Sequence, residues 1–187
     1  MSRTFLSLTA SALLAAAPAF AQTVVPAQSD ISFVSKQMGV PVEGKFKKWT
    51  AQIAFDPKKP EAGKVAFTID TGSASFGAAE TDAEVPKAAW FNVAKFPQAS
   101  FQSGSIKATG AGKFDVAGKL TIKGQVHDVV VPVSLTSAAG GSGSAVGSFT
   151  IKRLDFKIGE GEWADTSMVA NDVQVKFKLA LNGLAPL

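Results

Sequence analysis

His127 is the only histidine in this 187-residue chain, which also lacks cysteine, so the chemistry that the chain can support is narrow. Zinc sites are built from several histidine, cysteine or carboxylate ligands, and a lone histidine does not make an ordinary one. A serine hydrolase would need His127 as its base, but the chain has no Gly-x-Ser-x-Gly nucleophile elbow. Because His127 is in phase with Val129 and Val131, we interpret it as a partly exposed strand residue near a barrel mouth.

Two other patterns resemble functional motifs but have simpler interpretations. Asp82 and Glu84 form an acidic pair that suits the N-terminal end of a helix better than an acid–base couple. Gly110 and Gly112 lack the further glycine and the strand-to-helix context of a dinucleotide loop, and a hairpin explains them better. The sequence therefore predicts no catalytic residues, no metal site and no cofactor, and the protein is predicted not to be an enzyme.

The elements that must position these residues alternate apolar and polar side chains with a period of two. Clear runs lie at 65–69, 114–122, 129–135 and 173–181, and shorter ones at 31–35, 42–48, 51–56, 99–107 and 145–152. This alternation is typical of antiparallel strands with one buried face and one wet face. Eight or nine such strands indicate an all-β barrel or sandwich, and a closed barrel would remove exposed strand edges.

One long interval between predicted strands, 72–98, predicts a short helical excursion at about 80–95. Thr81-Asp82-Ala83-Glu84 has the form of a capping box, in which Thr81 is the N-cap and Glu84 reaches back. Pro86 follows closely and keeps any helix short. Elsewhere, Lys123-Gly124 fits a two-residue β-hairpin turn.

The first 21 residues have the features of a secretory signal peptide. Arg3 gives a positive start, residues 5–17 are apolar, and Ala19-Phe20-Ala21 has the small-x-small form of a cleavage site. The apolar run of about 13 residues is shorter than the roughly 20 that span a bilayer. We predict cleavage after Ala21 and a single domain at 22–187. The net charge of +4 is mild and the lysines are spread along the chain, so no nucleic-acid partner is expected.

Phenylalanine is the prominent residue type, because the chain has 14 phenylalanines and no tyrosine. A phenyl ring offers apolar area without a hydroxyl that needs a hydrogen-bond partner. Rings on strands could fill a solid core, or they could line a hollow barrel that holds an apolar ligand. A barrel of about eight strands accommodates either arrangement, so the composition leaves both interpretations open.

The order of motifs resembles that of the YceI-like family of secreted bacterial lipid-binding proteins. The segments that carry the resemblance are SDISFVSKQMGVPVEGKFKKWTAQIAFDP, VAFTIDTGSASF, WFNVAKFPQASFQSGSI, GKFDVAGKLTIKGQVHDVVVPVSL and GSFTIKRLDFKIG. Together they extend over nearly all of 22–181. The resemblance implies an extended, lipocalin-like antiparallel β-barrel with an internal apolar tunnel, in the periplasm of a Gram-negative cell.

Members of this family bind long isoprenoid chains, such as polyprenyl phosphates or quinones. The resemblance therefore implies that an isoprenoid lipid or quinone is the ligand of this chain, and that inward strand residues contact it. The candidates for this contact are Phe33, Phe46, Phe67, Ile69, Phe101, Phe114, Leu120, Val131, Phe149 and Phe177. A lipid phosphate would meet cations at the rim, for which Lys36, Lys45, Arg153 and Lys157 are the candidates.

The chain departs from the family pattern in two places. The family usually has Arg-Asp-x-His-Leu where this chain reads Thr81-Asp82-Ala83-Glu84-Val85, so head-group contacts from that motif do not carry over. Lys157 stands where the family often has glycine, which changes that turn or the rim.

An alternative function is a partner-binding module, because some relatives are encoded with membrane b-type cytochromes. Trp49, Trp90 or Trp163 would then be exposed anchors; otherwise these rings cap the barrel. The sequence leaves a monomer or a dimer open.

Overall fold

The computed structural model describes residues 21–187, and eleven strands and one short α-helix account for most of them. The predicted signal peptide lies outside the described residues, apart from Ala21. Within residues 21–187 no helix has the length and apolar character needed to cross a membrane. The elements are β1 Ala21–Val24, β2 Asp30–Gln37, β3 Val40–Phe46, β4 Trp49–Ala54, β5 Lys64–Asp70, β6 Ala74–Ser75, α1 Ala79–Glu84, β7 Gln98–Gly110, β8 Lys113–Ile122, β9 Gln125–Ser137, β10 Ser142–Lys152 and β11 Asp172–Asn182.

Eight of these strands close into an antiparallel barrel. Around the barrel the order is β1-β4-β5-β7-β8-β9-β10-β11, and β11 pairs again with β1 where Thr23 faces Asn182. The longest ladder joins β10 to β11 along their whole length, from the Ser142–Asn182 pair to the Lys152–Asp172 pair. The structure confirms the predicted all-β antiparallel barrel and decides against the sandwich.

The remaining strands, β2, β3 and β6, form a branch beside the barrel and leave a gap in its wall. β2 pairs with the first half of β11 and with β3, and β3 pairs with β6. On its other side β1 pairs with β4 through two residues only, and the β2–β3 ladder begins at the Ser32–Lys45 pair. The wall therefore has no ladder between residues 23–31 on one side and 46–52 on the other.

The predicted hairpin at Lys123-Gly124 joins β8 to β9. Both residues have positive φ angles, 48° and 75°, as a type I′ turn requires, and the ladder closes with the Ile122–Gln125 pair. A lysine at the first turn position is unusual, since residues other than glycine, asparagine and aspartate rarely adopt this conformation. The contacts of the Lys123 side chain, described below, explain its presence.

The helical excursion is present, but its predicted cap is wrong. α1 begins after Ala78, and Thr81 lies inside the helix instead of capping it. Asp82 instead accepts hydrogen bonds from the Phe76 N–H at 2.6 Å and the Ser75 hydroxyl at 2.7 Å. These bonds hold the pKa of Asp82 below its usual value. The Asp82 side chain thus holds the connection between β6 and α1. The capping-box pattern did not predict this contact.

Apolar side chains of the barrel strands face the interior, as the period of two predicted. Buried Phe114, Val116, Leu120 and Ile122 alternate along β8 with more exposed residues, and Leu179 and Leu181 do the same on β11. The buried residues form clusters toward the two ends of the barrel. One cluster includes Phe55, Ile106 and Leu184, and another includes Ala99, Phe156 and Ile158.

Candidate ligand-binding site

The barrel encloses an apolar cavity of about 240 Å³. Its wall is formed by inward side chains from both ends of the barrel and from the excursion that contains Trp90 and Phe91. All ten residues proposed as ligand contacts line this cavity: Phe33, Phe46, Phe67, Ile69, Phe101, Phe114, Leu120, Val131, Phe149 and Phe177. The structure therefore brings them together around one space, and their contact with a ligand stays a prediction.

Strand glycines make room for three of these rings beside the wall. A side chain at Gly118 would lie 2.7 Å from the Phe101 ring, and one at Gly147 would lie 2.5 Å from the Phe177 ring. The Phe33 ring covers Gly44 in the same way. Each ring thus occupies the space of a missing neighbouring side chain, which is a close approach that only glycine permits.

Gln22 closes one end of the cavity with neutral hydrogen bonds. Its side chain is buried, and the amide accepts from the Phe55 N–H at 2.8 Å and donates to the Phe55 carbonyl at 3.0 Å. The same amide nitrogen lies 3.2 Å from the Gly183 carbonyl. Gln22 therefore joins the end of β4 to the end of β11, and sequence reasoning missed it because glutamine alone carries no signal of burial.

Arg153 is not a rim cation, and this prediction was wrong. Only 1% of the residue is exposed, and it lies under the loop between β10 and β11. All five guanidinium N–H groups have acceptors, which are backbone carbonyls at 2.7–3.1 Å: those of Ala170, Ile158, Gly159, Trp163 and Val169. Burial lowers the pKa of Arg153 from its usual value. A lipid phosphate cannot reach this group without breaking those bonds, so its role here is to hold the loop.

Lys123 is a second buried cation at the same end, and sequence reasoning missed it. Its ammonium group donates to the carbonyls of Ala88 and Lys157, both at 2.7 Å, and to a carboxylate oxygen of Glu160 at 2.8 Å. The hydrogen bond from Lys123 holds the pKa of Glu160 below its usual value. Three segments therefore meet at one amine: the β8–β9 turn, the helical excursion and the β10–β11 loop.

The tryptophans favour the capping interpretation over that of exposed anchors. Trp49, Trp90 and Trp163 are all half-buried. The ring centroids of Trp90 and Trp163 are 5.5 Å apart, so the excursion packs on the β10–β11 loop, and Trp90 also lines the cavity. The Trp90 indole N–H is buried and has no acceptor within residues 21–187.

His127 and the remaining rim candidates lie on the surface. The His127 ring packs edge-on against Phe156 at a centroid distance of 4.7 Å, and its Nε2 lies 3.0 Å from the Asp155 carbonyl. Lys36, Lys45 and Lys157 are exposed, and the structure does not bring them together at the cavity wall. Lys157 adopts a φ of 56°, so the turn in which the family often has glycine forms here with lysine.

The described part of the chain shows no arrangement for metal chemistry. Within residues 21–187 no three histidine, cysteine, aspartate or glutamate side chains are grouped closely enough to hold a metal ion. What the site offers is apolar surface around a space inside the barrel, with hydrogen-bonded side chains at each end. Such a site is suited to holding an apolar molecule.

Fold and cavity together define a β-barrel binding protein. The YceI-like domain family matches residues 22–181, and the chain belongs to that family. Among curated relatives, protein YceI of Salmonella arizonae is 42% identical over 100 residues, which cover 54% of this chain and 50% of the relative. The first three curated relatives are matched over only 46–63% of their own length.

Solved structures support the same assignment. BcnA of Burkholderia cenocepacia is 45% identical, with a TM-score of 0.82 over 84% of this chain and 99% of that protein. A polyisoprenoid binding domain from Saccharophagus degradans is 16% identical, with a TM-score of 0.70 over 86% of this chain and 97% of that domain. At this low identity the second likeness concerns the fold alone.

Proposed function

We propose that this protein is a periplasmic, non-enzymatic carrier that holds the apolar chain of an isoprenoid lipid, such as a polyprenyl phosphate or a quinone. The observation that carries the proposal is the cavity inside the barrel, whose walls are almost entirely apolar. Each buried methylene contributes about 0.8 kcal/mol, so a long chain gains affinity through area alone. Little polar recognition inside the barrel is then needed.

Family membership and fold support this choice of ligand. The family resemblance of the sequence implies an isoprenoid ligand, and a barrel of the same fold is a polyisoprenoid binding domain from Saccharophagus degradans. The export signal predicted at 1–21 supports the periplasmic location. Binding without catalysis is the part of the proposal that activity assays would challenge.

The size of the cavity limits how a long ligand can bind. At about 240 Å³, the cavity is smaller than the roughly 300–1,000 Å³ typical of small-molecule sites. A long isoprenoid chain must therefore displace wall side chains or extend out of the barrel. The rings of Phe33, Phe101 and Phe177 cover glycines, and their movement would widen the space.

The alternative function, docking to a membrane b-type cytochrome, stays a prediction. It required exposed tryptophan anchors, but Trp90 and Trp163 pack on each other and Trp49 is half-buried. Nothing else among the described residues singles out a cytochrome as the partner. We therefore carry only the lipid-carrier function forward.

A pair of neighbouring substitutions on β9 tests the carrier function. Val131 is 6% exposed and lines the cavity, whereas Val130 is 57% exposed and faces outward. Val131→Trp should fill the cavity and weaken geranylgeraniol binding about tenfold or more, since the ring takes the place of the ligand chain. Val130→Trp adds the same ring outside the barrel and should bind as the wild-type protein does. Native mass spectrometry of delipidated protein measures both.

A loss of binding must be distinguished from a loss of folding in these two variants. Thermal unfolding should show that both variants are folded at the assay temperature; Val131→Leu replaces Val131→Trp if the larger ring prevents folding. No geranylgeraniol bound to the wild-type protein would refute the carrier function, as would equal affinity of the inward and outward variants.

A further inference from the structure

A second depression lies outside the barrel, at the gap in its wall. This groove has a volume of about 590 Å³, and its lining includes Lys45, Lys47 and Lys48 together with Phe46 and Trp49. It opens where the β1–β4 and β2–β3 ladders leave residues 23–31 and 46–52 without a ladder between them. The interruption of the sheet thus leaves a groove of mixed charged and aromatic lining beside the apolar barrel interior.

The three lysines are positioned by their backbone and are available for binding. The Lys47 N–H donates to the Ser73 carbonyl at 3.1 Å, and the Lys48 N–H donates to the Ser73 hydroxyl at 3.0 Å. All three side chains belong to exposed residues, and none forms an ion pair with another residue of 21–187. Three ammonium groups on a four-residue segment therefore face solvent, and Lys47 is also close enough to Asp82 to help lower the pKa of that carboxyl group.

Aromatic side chains link the lining of the groove to the lining of the cavity. Phe46 lines both spaces. Trp49 lines the groove, and its ring centroid is 6.3 Å from that of Phe67, which lines the cavity. A shift of Phe46 or Trp49 would join the two spaces, and a chain too long for the cavity could then extend into the groove.

Two carboxylates also line the groove, so its charge is mixed but favours anions. Asp30 is exposed, and Asp70 accepts a hydrogen bond from the Gly72 N–H at 2.9 Å. That bond already satisfies part of the Asp70 carboxylate. Three lysines face two carboxylates, and lysine is a common phosphate ligand in proteins.

We propose that this groove is the head-group subsite, where Lys45, Lys47 and Lys48 bind the phosphate or diphosphate of an isoprenoid whose chain occupies the cavity. The inference rests on the proposed carrier function and adds to it a lateral position and an anionic ligand class. The lipid lies with its chain inside the barrel and its head outside, across Phe46 and Trp49. Because the lysines are exposed, this contribution weakens as ionic strength rises.

Two probes with the same chain separate the subsite from the cavity: geranylgeranyl monophosphate and geranylgeraniol. The groove variant is K45Q/K47Q/K48Q, and the matched control is K107Q/K113Q/K119Q, which removes the same charge from exposed positions on β7 and β8. In the groove variant, affinity for the phosphate should fall about 10- to 100-fold, while affinity for the alcohol is unchanged. The control should retain both affinities, as calorimetry at low and high salt would show.

Inorganic phosphate and pyrophosphate form a further arm of the experiment. They should bind far more weakly than the lipid phosphate, since the isoprenoid chain supplies most of the affinity. Equal binding of inorganic phosphate would overturn the proposal, because the groove would then be a free-anion site unrelated to the cavity. An equal loss in the lysine control would also overturn it, by showing a general effect of net charge.

The outcomes distinguish this inference from the function on which it rests. If neither lipid binds the wild-type protein, the carrier function fails. If geranylgeraniol binds and the phosphate adds no lysine-dependent affinity, the carrier function stands and the groove is not the head-group subsite.

Discussion

At one end of the barrel the neutral amide of Gln22 joins two strand ends, whereas at the other end two buried cations hold long connecting segments. Arg153 organises the β10–β11 loop through five carbonyls, and Lys123 links that loop to the helical excursion. The connections at the Gln22 end are short and comprise residues 55–63, 111–112 and 138–141. The other end needs irregular chain to cover it, and irregular chain leaves carbonyls that require donors.

This difference explains why the two buried cations among residues 21–187, Arg153 and Lys123, lie at the same end. An amide costs less to bury than a guanidinium or ammonium group, but it offers fewer donors. The five donors of Arg153 satisfy a loop that has no ladder of its own. The cationic end should therefore be more sensitive to substitution and to pH than the Gln22 end.

The largest effect should follow from loss of Arg153. Arg153→Met removes five hydrogen bonds at once and leaves buried carbonyls without donors, so the free energy of unfolding should fall by about 3–5 kcal/mol. Arg153→Lys keeps the charge but offers at most three donors, so its free energy of unfolding should lie between those of the wild-type protein and Arg153→Met. Urea denaturation measures both, and a smaller loss for Arg153→Met than for Gln22→Leu would contradict the difference between the two ends.

A smaller effect should follow from loss of Lys123. Lys123→Met keeps an unbranched chain but removes the donor to Ala88, Lys157 and Glu160, which should cost about 2–3 kcal/mol. Because the amine joins the excursion to the loop, amide hydrogen exchange should accelerate in both segments. Exchange that accelerates only in the β8–β9 turn would show that Lys123 acts locally.

The Gln22 end should respond less. Gln22→Leu preserves apolar volume but leaves the Phe55 N–H and the carbonyls of Phe55 and Gly183 without this partner, at a cost of about 1–2 kcal/mol. Thermal and urea unfolding of this variant, beside Arg153→Met, give the difference between the ends directly. Equal losses of stability would show that a neutral amide and a buried cation contribute equally at the two barrel ends.

The smallest expected effect is the pH dependence of the stability that the Lys123–Glu160 pair contributes. The pKa of Glu160 is lowered in the folded protein, so its stabilisation is complete above the ordinary value of 4.5 and is lost as pH falls through the lowered value. The unfolding free energies of wild-type and Glu160→Gln protein should therefore differ at neutral pH and converge under acidic conditions. A difference that grows as pH falls would have the wrong sign for this pair.

Sequence patterns predicted the barrel wall well because its physics is local. A period of two places Phe114, Leu120 and Val131 on one face, and the structure puts all three at the cavity. The Lys123-Gly124 turn was also predicted from two adjacent residues. Family resemblance, and not composition, favoured a hollow barrel over a solid one, since the glycines that make room for rings lie on neighbouring strands.

The side-chain contacts that cover the two barrel ends could not be predicted, because they join distant parts of the chain. Arg153 looked like a rim cation, since a sequence shows charge but not the carbonyls that will surround it. The Thr81-to-Glu84 spacing matched a capping box, so Thr81 was predicted as the N-cap. The bond from the Phe76 N–H to Asp82 depends on how the chain turns before the helix, which the sequence does not show. Gln22 and Lys123 have no motif around them, and their roles appear only when strand ends and loops meet.

The central claim is that an isoprenoid chain occupies the barrel interior, and methyl NMR tests it most directly. Val126, Val130 and Val146 are exposed, whereas Val116, Val131 and Leu179 are buried and line the cavity. On titration with geranylgeraniol, methyl signals of the buried set should shift and show contacts to the ligand, while those of the exposed set stay unchanged. Shifts confined to the exposed methyls would place the ligand outside the barrel and contradict the account.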